Sequence, residues 1–169
     1  EPCTGHPDGK PVRVMVAAPG LAHDLGDWRA IHITADGWEI IEEPPILFRH
    51  FPHQAPQVEP QRGSSLEEFD RFINIISPAQ RLLIHIYIVT ALIPEIPHPI
   101  LVLYGDQGSG KSFLFRLLKK LIDPSLLETT SPPDNLREFV QLASHHLVVY
   151  LDNLTSLPDW LSDAFSRLS

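Results

Sequence analysis

Ile100-Leu101-Val102-Leu103-Tyr104, then Gly105-Asp106-Gln107-Gly108-Ser109-Gly110-Lys111-Ser112, then Phe113-Leu114, is the stretch on which the reading of this chain turns. The first five residues are a short unbroken apolar run, the pattern of a strand buried on both faces of a parallel sheet. The next eight match G-x-x-x-x-G-K-[ST] without a gap. Phe113, Leu114, Leu117, Leu118 and Leu121 then recur at helical spacing, so the stretch reads as strand, loop and helix.

The residue types in the loop have physical reasons. Glycine at 105, 108 and 110 permits backbone conformations closed to other residues, so successive N–H groups can turn inward as a nest for an anion. The helix that follows adds the positive end of its dipole beneath the same oxygens. Lys111 is expected to reach the β and γ phosphates of a nucleoside triphosphate, and the Ser112 hydroxyl to ligate Mg²⁺. The expected contact set for ATP is Gly105, Asp106, Gln107, Gly108, Ser109, Gly110, Lys111, Ser112 and Phe113.

Such a site also needs a carboxylate at the tip of a neighbouring strand to hold the magnesium. His146-Leu147-Val148-Val149-Tyr150-Leu151-Asp152 is an apolar run ending in one. Asp152 is therefore expected beside Ser112 on the metal, with Lys111 and Asp152 as the catalytic pair. The competing reading of Asp152 is a helix cap after a core strand. Asn153 follows where many such sites place a second carboxylate, and an amide cannot accept a proton from water. Hydrolysis is then slow, or Asp159 or Asp163 supplies the base, or Asn153 orients water for another acceptor.

Outward from this centre, Leu126-Leu127-Glu128-Thr129-Thr130 reads as a short strand and residues 134–143 as a capped helix. Ser156-Leu157-Pro158-Asp159 opens a last helix with Trp160, Leu161, Ala164, Phe165 and Leu168 on its apolar face. Upstream, Ser64 and Glu67 fit a capping box for an amphipathic helix over 65–76. Ser77-Pro78-Ala79-Gln80 starts a second helix to about Leu92, apolar nearly all round and so expected in the interior. Ala35-Asp36-Gly37, between residues 28–33 and 38–41, marks a β-hairpin. The proline-rich residues 44–60 read as an extended linker or surface wrap.

The expected architecture is an α/β three-layer P-loop NTPase core with a mainly parallel sheet, preceded by helices and a small β element. Three parts are expected: 1–62, hairpin and linker; 63–98, helical lead-in; 99–169, the nucleotide-binding core. With 169 residues and Cys3 as the sole cysteine, no intrachain disulfide can form, which favours a reducing, cytoplasmic setting. The N-terminal residues carry neither a basic region nor an apolar run of the secretory kind. The most apolar stretch, residues 82–93, falls short of the roughly 20 residues of a membrane-spanning helix. A net charge of −8 excludes a global electrostatic pull toward nucleic acid. Any DNA contact must come from a local basic patch or a neighbouring domain; Arg116, Lys119 and Lys120 are the nearest to a patch and read better as a solvated helix face. The nine histidines form no closed ligand set. His50 with His53, and Cys3 with His6, are loop pairs without evident partners. Trp28, Trp38 and Trp160 sit in apolar patterns and are read as core, with base stacking the alternative.

The loop GDQGSGKS, with Leu121-Ile122-Asp123-Pro124-Ser125 and the run from Tyr150 to Ser169, resembles the ATPase domain of phage- and plasmid-type primase-helicase replication proteins. Those domains are similar to superfamily 3 hexameric helicases and the wider AAA+ class. The likeness is strong over residues 100–169 and weak around the hairpin. It implies an ATP-hydrolysing DNA motor, a homo-oligomer of hexamer type, with Lys111 and Ser112 on the nucleotide and Asp152 on the metal. It also implies that a sensor strand and an arginine reaching a neighbouring subunit lie beyond Ser169, so that this chain binds nucleotide better than it hydrolyses it. The alternatives are a nucleotide-binding switch or assembly module with little turnover and a small-molecule kinase.

Overall fold

The computed structural model describes residues 13–94 and 96–168. Cys3, His6, Ser169 and the Leu168 side chain, singled out above, lie outside the described residues, as do the N-terminal residues read for a leader.

Val14–Val16 (β1), Leu21–Asp24 (β2), Ala30–Thr34 (β3) and Gly37–Ile41 (β4) form one antiparallel meander in the order β1-β2-β3-β4. The β3–β4 hairpin turns through Ala35 and Asp36, with Thr34 opposite Gly37 and Gly37 at φ +140°. The β1–β2 turn depends on Gly20, because a Cβ there would lie 2.1 Å from the Ile33 carbonyl oxygen. Small residues, Ala17, Ala22 and Ala30, form the buried face with Ile46.

The helical part contains Leu66–Phe69 (α1), Pro78–Ala91 (α2), Lys111–Ile122 (α3), Leu136–Ala143 (α4) and Asp159–Leu168 (α5). α1 is a single turn capped by Ser65, whose side chain accepts from the Glu67 amide; a 3-10 turn over Asp70–Phe72 ends the helix that was expected to reach residue 76. α2 starts at the expected proline, but only one side is buried, through Ile84, Ile88 and Ala91. Leu82, Leu83, Ile86 and Val89 are exposed, so this helix is not an interior one. Its buried face packs with Leu114, Phe115, Leu118 and Ile122 of α3 and with Tyr150. Asn135 caps α4 by accepting from the Glu138 amide, and Glu138 accepts in return from the Asn135 side chain. Phe139, Leu161 and Ala164 form a separate small core between α4 and α5.

The expected mainly parallel P-loop NTPase sheet is overturned. The only sheet among the described residues is the four-stranded antiparallel one. Residues 100–104 join no ladder; Leu101 and Leu103 face the core, while Val102 is 72% and Tyr104 86% exposed. Residues 126–130 and 146–152 meet through one parallel bridge, Thr130 to Leu151, and form no strand. An apolar run records that a segment meets the core on some side; it carries no information about which backbone will hydrogen-bond to it.

Residues 44–60 are pinned on both sides, as a wrap and not a free linker. The Gln57 amide donates to Leu25 at the end of β2, and the Ala55 amide to Pro124 beyond α3. The Leu126 amide and the Ser125 hydroxyl both donate to the His53 carbonyl. This double pinning joins the sheet to the C-terminal end of α3.

Candidate functional site: the glycine loop and its helix

The loop from Gly105 to Gly110 is exposed and leads directly into α3. Gly105, Gly108 and Gly110 have φ of +147°, +82° and +90°, values that L side chains rarely adopt. A Cβ at Gly108 or Gly110 would meet nothing within 4 Å, so backbone conformation, not crowding, requires glycine there. The Ser109 amide donates to the Asp106 carbonyl at 3.3 Å, closing a tight turn. Lys111 folds back over it: Nζ donates to the carbonyls of Gly105 (2.8 Å) and Asp106 (2.7 Å) and to Ser109 Oγ (3.1 Å). Among the described residues Lys111 forms no ion pair. Ser112 is half-buried, and Phe113 is more exposed than buried. The buried stripe of α3 is Leu114, Phe115, Leu118, Lys119 and Ile122, one step round the helix from the one expected. Gln107 lies exposed in the same loop.

Asp152 is half-buried at the end of residues 146–152. Its backbone amide donates to the Thr130 carbonyl, and Oδ1 accepts from the Asn153 amide at 2.9 Å. Asn153 itself adopts φ +60°, which asparagine tolerates better than most residues. Among the described residues Asp152 makes no ion pair.

Sequence reading missed the other end of α3. Asp123, at its C-cap, is fully buried. Its Oδ1 accepts from Arg13 Nε at 2.6 Å, and its Oδ2 from Lys119 Nζ at 2.6 Å and from the Leu147 amide at 2.9 Å. Lys119, 2% exposed, also donates to the Val148 carbonyl (2.7 Å) and to His146 Nδ1 (3.1 Å), filling all three of its N–H positions. Arg13 donates further to the Ala55 and Pro124 carbonyls. Burial by itself would raise the Asp123 carboxyl, but Lys119 and Arg13 outweigh it and hold it below the ordinary carboxylate range. Burial, then the Lys119 charge, lowers His146 to about 4, leaving it neutral with Nδ1 free to accept. The available signal was the helical wheel: Lys119 lies four residues after Phe115 and four before Asp123, inside the buried stripe.

The reading of Arg116, Lys119 and Lys120 as one solvated face is thereby corrected. Lys119 is buried, while exposed Lys120 and Arg116 both approach Glu128, at 3.1 and 3.8 Å. Trp28 is no core residue either: it is 69% exposed, its ring 4.8 Å from that of His50. Trp38 carries the Arg62 guanidinium 4.7 Å above its ring, and Trp160 meets Phe139 edge-on. No group of three or more potential metal-binding side chains occurs among the described residues, and no helix among them is long and apolar enough to cross a membrane.

No curated protein and no solved structure matches this chain. One family model does, across residues 66–168, a span that holds α1 to α5, the glycine loop, the Lys119–Asp123 pair and Asp152. The sequence resemblance to replication proteins agrees with that match at the level of replication and is finer than it in naming a motor. Because the match covers more than half of the residues, this chain belongs to the actinomycete integrative conjugative element replication protein (RepA) family.

Proposed function

We propose that this chain is the nucleotide-binding part of a DNA replication protein, taking Mg-ATP on residues 105–113 with Asp152 toward the metal. The observation that carries the reading is a run of three positive-φ glycines opening into α3, with Lys111 held, among the described residues, by neutral oxygens alone. A lysine without a counter-charge is free to exchange carbonyl partners for phosphate oxygens, and the open space beside Gly108 and Gly110 leaves room for them. The residues present fit the group. Ser112, in the first turn of α3, and Asp152, which has no cationic partner among the described residues, supply the oxygens that Mg²⁺ prefers. Bound Mg²⁺ would neutralise phosphate charge; Lys111 and the loop amides would orient the triphosphate.

The test is calorimetry of Mg-ATP binding to wild type and Lys111→Ala. Loss of measurable binding in the variant is expected, and equal affinities overturn the assignment. In the family context, the same site would drive work on DNA, so phosphate release is expected to rise with single-stranded DNA. A second reading, a switch that binds without turnover, is favoured by Asn153, which places an amide where a base would stand and gives its backbone N–H to Asp152. Tight binding with no phosphate release, with or without DNA, selects that reading. A kinase is the least supported of the three, and phosphorylation of a metabolite by the chain would be needed to revive it.

A further inference from the structure

Resting on the nucleotide reading above, we infer that Lys119 and Asp123 are positioning residues that set the register of the Asp152 segment against the phosphate-loop helix. The two groups assigned to the metal, Ser112 and Asp152, come from elements that share no sheet ladder. Something else must hold their spacing. Lys119 lies eight residues after Lys111 on α3, about 12 Å along the axis at 1.5 Å per residue. Val148 lies four residues before Asp152.

Between these points the contacts are side chain to backbone. Lys119 Nζ donates to the Val148 carbonyl at 2.7 Å, while Asp123 Oδ2 accepts from the Leu147 amide at 2.9 Å and the Val148 amide at 3.4 Å. One ion pair thus takes both the donors and the acceptor that a neighbouring strand would otherwise satisfy. Each of these contacts joins α3 or its cap to the segment leading to Asp152. A one-residue slip would leave a buried charge facing the wrong backbone group, so the alignment is strongly specified. Arg13 stands apart in this scheme. It neutralises Asp123 from the sheet side and holds the Ala55 and Pro124 carbonyls, but the Asp152 segment is not among these partners.

The experiment compares nucleotide affinity with and without Mg²⁺ in the full chain, for wild type, Lys119→Met and Arg13→Met. Melting curves identify the temperature at which each is folded. Lys119→Met removes the link to Val148 and leaves Asp123 paired with Arg13, so it keeps a compensated core. Its affinity for Mg-free ATP is expected within about twofold of wild type, while the gain on adding Mg²⁺ falls about tenfold or more, the usual effect of losing a group that orients a metal ligand. Arg13→Met is expected to melt earlier yet keep the wild-type Mg²⁺ gain.

A Lys119→Met protein that retains the full gain overturns the inference, as does an Arg13→Met protein that loses it equally, since both then act only on stability. If Lys119→Met fails to fold, Lys119→Gln, which is shorter and uncharged and also leaves Asp123 paired with Arg13, carries the same comparison with the same expected loss of gain. Wild type that binds no nucleotide removes the nucleotide reading and this inference with it. Binding abolished by Lys111→Ala but a Mg²⁺ gain indifferent to Lys119 removes this inference alone.

Discussion

The two ends of α3 place two lysines in opposite circumstances. Lys111 begins the helix, touches three neutral oxygens and forms no ion pair among the described residues. Lys119, two turns on, is sealed from water against Asp123, His146 and the Val148 carbonyl. An ammonium on neutral carbonyls can trade partners at little cost, whereas removing a member of a buried ion pair strips charged and backbone groups of partners that water cannot replace. One lysine is therefore suited to bind and the other to hold, although both sit on the same helix.

The largest expected effect breaks the holding end. Asp123→Ala leaves Arg13 and Lys119 as buried cations and strips the Leu147 amide of its acceptor, so a loss of about 3–5 kcal/mol is expected in denaturant unfolding. A loss under 1 kcal/mol would mean that the cluster is solvated in solution.

Acid should weaken the same end by a second route. Burial first, then Arg13, lowers His23 to about 4, and its Nε2 finds no hydrogen-bond partner among the described residues; His146 is lowered to about 4 as well. Both histidines take up protons more readily unfolded than folded, so stability is full above pH 6.5 and falls as the pH drops from 6.5 to 4. Each contributes about 3 kcal/mol by linkage. Asp123, held low, adds to the loss as pH falls through its folded value. Melting temperatures across this window should show the slope, and His23→Leu should reduce it by about half.

Smaller effects sharpen the contrast. Asn135→Ala removes the α4 cap and should cost about 1 kcal/mol, read by thermal unfolding. Lys111→Ala should change unfolding stability by no more than about 0.5 kcal/mol, in spite of its expected effect on nucleotide binding. A large loss of stability at Lys111 would place both lysines in the same structural class and dissolve the distinction.

Local chemistry was legible in the sequence. The glycines at 105, 108 and 110 announce a backbone of positive φ, and Ser77-Pro78, Asp134-Asn135 and Pro158-Asp159 mark helix starts that the structure contains. Replication as a theme was also readable from the loop and its flanking residues, in agreement with the family match. The parallel sheet was not there to be read. Residues 100–104 and 146–152 are apolar enough for buried strands, yet they meet the core on one side, and the second run takes backbone partners from Lys119 and Asp123. Likewise β1 and β2 were missed, because strands of three and four residues, Val14-Met15-Val16 and Leu21-Ala22-His23-Asp24, give too short a pattern to register.

The sequence by itself determined the conformation of the glycine loop and the starts of α2, α4 and α5, since these depend on residues within a few positions of one another. Only the tertiary structure decided that the sheet is antiparallel, that the proline-rich wrap is pinned to residues 124–126, and that Lys119 is buried against Asp123 and Arg13. Arg13 and Asp123 are 110 positions apart. Hydrogen bonds and ion pairs between such distant segments obey geometry that no periodicity along the chain encodes.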